Sequence, residues 1–145
     1  MEKLPPQEKV CEAWSALIDG RVSVSGSTAE VVSSNGEKTY HLKWRDRLMF
    51  SDDNSTYWQG YAGYPVIAVL MHRGLLPYDE GAARLFSGID WHALNKRHKR
   101  DYAAAVSEVL AEAPDQDRAD IERSCRQVLE ALSTLDLTLT RKRTL

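Results

Sequence analysis

The residues best able to do chemistry in this chain fall into three groups. The first is the run Lys96, Arg97, His98, Lys99 and Arg100, which with the C-terminal Arg141, Lys142 and Arg143 has the density of positive charge that neutralises phosphates. Lys96, Arg97, Lys99 and Arg100 are the candidate phosphate-binding residues. On a helical projection His98 falls on the apolar stripe and the four cations on or beside the other face. Arg97 also stands four residues before Asp101, a spacing suited to a helix ion pair, so a solvated helix back is the favoured reading and nucleic-acid binding the alternative.

The second group is the segment DDNSTYWQGYAGYPVIAVLMHRG, residues 52–74, in which Tyr57, Trp58, Tyr61 and Tyr64 are interrupted by Gly60 and Gly63. Aromatic rings with polar tips supply large contact area at little rotamer cost, and glycine lets a backbone approach its partner closely. These four aromatics are the candidate partner-binding surface, for a protein partner or a second copy of the chain. The competing reading is an aromatic lid closing one end of the core.

The third group is scattered: His41, Asp52, Asp53, His72 and His92 are the carboxylates and imidazoles from which an acid–base site could be assembled. No substrate or individual role follows from them, so none is assigned as catalytic. His98 reads as a core-edge histidine, and His72 and Arg73 as cations at the negative end of a helix. Asp52, Asp53 and Asn54 lack the spacing, glycine and closing glutamate of a calcium loop and read as turn residues. Cys11 and Cys125 belong to no CxxC or Cys/His pattern, so no metal site and no disulfide framework are expected. No dinucleotide fingerprint, P-loop, HExxH or GxSxG occurs, which points to no cofactor and lowers the expectation of an enzyme.

Composition narrows the setting. The formal charge of −2 arises from 19 basic and 21 acidic residues, so any electrostatic partner must meet a local patch. The opening MEKLPPQEK has no signal-like apolar stretch, and the longest apolar run, Val66 to Met71, is too short to span a bilayer. A soluble, reduced cytoplasmic setting without a membrane partner is expected, which leaves the NST sequon at 54–56 without consequence.

The elements that must position these groups follow from periodicity. Residues 7–19 predict an amphipathic helix with Val10, Trp14, Leu17 and Ile18 inward and Gly20 as its cap. Residues 21–50 predict an antiparallel meander of three or four strands, in which Asn35-Gly36 forms a tight hairpin turn and Tyr40, Leu42 and Trp44 share one face. The helical part, 64–135, opens with a central apolar helix over 64–73, where Pro65 suits the first turn and Gly74 the end; a buried strand is the alternative. A brief helix capped by Asp79 follows. Asp90 then caps a long helix, roughly 91–113, with Trp91, Leu94, His98 and Tyr102 on its stripe, and a last helix starts near 117. Residues 136–145 predict an edge strand or a frayed basic tail. One α+β domain, with three or four C-terminal helices on one sheet face, is therefore the expected fold. The expected function is a non-catalytic interaction or regulatory protein, with nucleic-acid binding and a small His/Asp enzyme as the alternatives.

Overall fold

A computed structural model describes every residue except Glu2 and Glu112. Helix α1, Glu8–Ile18, leads into strands β1 (Val22–Ser25), β2 (Thr28–Val32), β3 (Thr39–Arg45) and β4 (Leu48–Ser51). A single wide turn of helix, Ser55–Gln59, then precedes α2 (Tyr64–His72), α3 (Glu80–Arg84), α4 (Trp91–Arg97), α5 (Tyr102–Leu110), α6 (Asp115–Thr134) and strand β5 (Thr138–Thr140). The α+β expectation holds, and of the two readings of the C-terminal segment the edge strand is the one that forms. The sheet has five strands in the order β1-β2-β3-β4-β5, because the C-terminal segment returns to lie parallel to β4, Met49 opposite Leu139. Within the expected long helix, Glu112 lies outside the described residues.

The local signals act as physical chemistry requires. Gly20, at φ 68°, ends α1 with its N–H on Leu17 O and the Arg21 N–H on Ala16 O, closing the carbonyls that the last turn leaves open. The β2–β3 connection departs from the expected tight turn. Strand pairing stops at Val32 and Thr39, and only Gly36 takes a positive φ. Asn35 uses its side chain instead, its Oδ1 accepting from Ser33 Oγ at 2.8 Å and from the Glu37 N–H at 3.0 Å. The longer loop that results forms one wall of a cleft over the polar side of α1.

The sheet is wet on one side as its alternation predicts. Ala29, Val31, Leu42, Trp44 and Met49 are buried on the inner face, while Glu30, His41, Lys43 and Arg45 are exposed on the other. Phe50 is the exception: it pairs with Lys43 on the outer face yet is buried, beneath Tyr57 and the Arg143 guanidinium. Helix α2 is central, with Val66 to Leu70 wholly inaccessible, and it packs on α1, β1 and β3. Helix α1 contacts α2, α3, α5 and α6, so every residue from Lys9 to Ala16 is buried, its polar side included.

The single helix expected over 91–113 is two helices. Lys99 and Arg100 both take left-handed φ, 53° and 65°, and the Arg100 N–H closes α4 on Asn95 O at 2.7 Å. Asp101, expected to pair with Arg97, instead caps α5 by accepting from the Ala104 N–H at 3.1 Å. A cap is available only where the helix restarts, and the break turns α5 back onto α1.

Candidate functional site

The break at 98–101 borders a cleft of about 710 Å³, within the usual range for small-molecule sites. Its walls are the polar side of α1, the 33–38 loop, the start of α2 and the α4–α5 corner. The Trp91 N–H donates to Ser34 Oγ at 2.8 Å, fastening the corner to the loop 57 residues earlier in the chain.

The floor is built from charged groups taken out of water. Lys9 and Glu12 are 9% and 5% exposed and lie 3.7 Å apart, Nζ to Oε2. Asn95 Nδ2 donates to Glu12 Oε1 at 3.3 Å, while the Lys9 ammonium sits 4.6 Å from the centre of the Tyr102 ring. Burial pushes the Glu12 carboxyl above its usual 4.5, against the opposing pull of Lys9 and of the Asn95 hydrogen bond. Asp53, also raised by burial, accepts from Ser51 Oγ and from the Thr56 N–H, so it caps the Ser55–Gln59 turn as well as lining the cleft. Tyr40 and Tyr64 meet edge to face at 6.0 Å, and burial raises both phenols. Trp91 and Asn95 line the cleft, while Trp91 Nε1 and Asn95 Oδ1 are themselves buried without a protein hydrogen-bond partner.

The sign of the Glu12 shift makes a prediction. A carboxyl whose folded pKa is raised holds its proton more tightly in the folded chain than in the unfolded one. Its stabilising contribution is complete below pH 4.5 and is lost as pH rises through the folded pKa. Glu12→Gln keeps an acceptor for Asn95 but does not titrate. Urea midpoints measured across this window should fall less with rising pH in the variant than in the wild type. Parallel pH profiles would show that Glu12 is not held in this state.

The lip is cationic. Lys38, Lys96, Lys99 and Arg100 are exposed around the mouth, and none of them pairs with a carboxylate among the described residues, although Glu37 stands on the same rim. Arg97 is separated from the other three candidates: it turns away to Glu108, which also meets His98 Nε2 at 3.1 Å. The structure thus brings together Lys96, Lys99 and Arg100 and leaves Arg97 outside.

The four aromatics expected to form one surface divide three ways. Tyr64 lines the cleft, and Tyr61 lies beneath the Lys3 ammonium at 5.6 Å. Tyr57 and Trp58 meet at 4.8 Å on a different surface, where Trp58 is 65% exposed. The acid–base set is dispersed as well. Asp53 and His92 line the cleft, but His41 pairs with Asp52 at 3.1 Å on the outer sheet face and His72 is exposed at the end of α2. Among the described residues no three His, Cys, Asp or Glu side chains converge as metal ligands, and no helix is long and apolar enough to cross a membrane.

A family model covers nearly all of this architecture, residues 2–138, and with it every residue of the cleft. The chain belongs to the family described as Uncharacterised conserved protein UCP014422. Arg141, Lys142 and Arg143 lie beyond the matched residues. No curated protein and no solved structure matches the chain. Lys9 and Glu12, the charged floor of the cleft, escaped the sequence reading because polar residues on the back of an amphipathic helix have the pattern of a solvated face.

Proposed function

We propose that the protein binds a small phosphate-bearing ligand in the cleft between α1, the 33–38 loop and the α4–α5 corner. The observation that carries this reading is the pair Lys99 and Arg100, two successive side-chain-bearing residues in the left-handed region, exposed at the mouth without carboxylate partners among the described residues. Left-handed backbone costs an L-residue about 1–2 kcal/mol, a cost that glycine avoids. Strain of this kind is retained where the side chains serve a purpose, and here they deliver positive charge to the rim. The polar floor suits the body of such a ligand. Lys9, Glu12 and Asn95 line it with polar groups.

The test is calorimetric titration with inorganic phosphate, sugar phosphates and nucleoside mono- and triphosphates, compared with Lys99→Gly/Arg100→Gly. Each charge-assisted contact contributes about 1.5–3 kcal/mol, so losing both should weaken binding by at least about a hundredfold. Relief of strain outweighs the added chain entropy of glycine, so the double variant should be as stable as the wild type or more stable by about 1 kcal/mol. Equal binding by the two proteins, or no binding by any of these phosphates, would remove the proposal.

A further inference from the structure

The surface around Trp58 shares no residue with the cleft lining and has its own charge pattern. Trp58 packs T-shaped against Tyr57 at 4.8 Å, and Tyr57 in turn meets the buried Phe50 edge to face at 6.5 Å, so the exposed indole rests on an aromatic ring tied to the core. The C-terminal segment is drawn across this cluster. Arg141 Nε donates to Tyr57 O at 2.7 Å, which holds its guanidinium 5.7 Å from the Tyr57 ring centre and 5.8 Å from that of Trp58. Arg143 covers Phe50 at 5.1 Å, and Lys43 Nζ, reaching from the outer sheet face, donates to Arg143 O at 3.2 Å. On the other side of the turn Lys3 Nζ donates to Gln59 O at 2.6 Å. Lys3, Lys43, Arg141, Lys142 and Arg143 form no ion pair with any carboxylate among the described residues, while nearby Asp136 is already engaged by Arg47 at 3.0 Å.

We infer that this surface binds single-stranded nucleic acid, with a base stacked on the open face of Trp58 and the backbone phosphates on Arg141, Arg143 and Lys43. An accessible indole packed on Tyr57, with Arg141 beside it and Arg143 and Lys43 along the adjoining segment, supplies the two components of such binding, a stacking platform and a phosphate track. A duplex does not meet the first, since its bases are already stacked. A protein partner is the less suited occupant, because interface centres that use tryptophan are depleted in lysine and uncompensated charge.

The test is fluorescence anisotropy with labelled oligo(dT) and oligo(U) of about 12 nucleotides, beside a duplex of the same length. At about 50 mM salt both single strands should bind with micromolar Kd, quench Trp58 emission, and weaken as salt is raised. Trp58→Ala should weaken binding about tenfold or more by loss of stacking. Arg141→Gln/Arg143→Gln should lower the affinity and flatten its salt dependence, whereas Lys99→Gly/Arg100→Gly in the cleft should leave it unchanged. Trp58 is exposed, so its variant folds, and the urea midpoint checks this. The inference is overturned by the absence of single-strand binding at about 100 μM protein, by equal affinity for the duplex, or by indifference to Trp58→Ala. Light scattering that shows Trp58-dependent self-association without oligonucleotide binding would overturn it too, in favour of a protein partner.

Discussion

Leu70→Ala should cost about 2–5 kcal/mol of stability, and Trp58→Ala about 1 kcal/mol or less, in urea denaturation of the two variants. Leu70 is wholly inaccessible in the last turn of α2, a helix that packs on α1, β1 and β3. Truncation there forfeits the transfer free energy of the side chain and leaves a cavity that close-packed neighbours fill only in part. Against a typical domain stability of about 5–15 kcal/mol, the loss takes a large share of the total. Trp58 is 65% exposed, and its described ring partners are Tyr57 and Arg141, so its removal opens no cavity. Comparable, severe losses from both variants would mean that the Tyr57–Trp58 turn is a lid on the core, and the stacking surface would lose its basis.

Gly63→Ala should be among the most damaging single substitutions in the chain. The backbone of Gly63, φ −72° and ψ 171°, is one that any residue adopts, so the requirement for glycine is one of space. A Cβ at this position would lie 1.9 Å from Asp53 Oδ2 and 2.8 Å from Asp53 Cγ. The carboxylate cannot move aside without cost, because it holds the Ser51 hydroxyl and the Thr56 N–H in a buried site. Overpacking together with a broken buried hydrogen bond should cost about 3 kcal/mol or more. Asp53→Ala removes the obstructing atoms, so the double variant Gly63→Ala/Asp53→Ala should lose clearly less than the two single losses added together. Gly60→Ala is the control. There the φ of 74° is strained for alanine but the space is open, and the cost should stay near about 1 kcal/mol. Strict additivity of Gly63→Ala and Asp53→Ala in thermal or urea unfolding would refute the steric account.

Short-range signals decide much of this fold independently of packing. Gly20 as a cap, Asp79 and Asp90 as helix starts, the alternation of Tyr40, Leu42 and Trp44, and the apolar run from Val66 all act within about one turn or one strand pair. Each stands in the structure where its spacing puts it. Even the break in the expected long helix had a local sign in Asp101, a capping residue that the continuous apolar stripe concealed.

What only the tertiary structure decided is which surfaces face each other. Lys9 and Glu12 have the spacing of a solvated helix back, and they are buried because α4 and α5 return from more than 80 residues away and set Asn95 against Glu12 and Tyr102 against Lys9. Lys96, Lys99 and Arg100 are a basic run in the sequence and become a cleft lip through the two left-handed residues that turn the chain. Arg141 reaches Tyr57 only because β5 pairs with β4. Side-chain periodicity reports how a residue sits on its own element. Burial and charge pairing depend on the elements that arrive opposite it, whose hydrogen bonds and packing are set by the global minimum of the chain and leave no periodic trace along it.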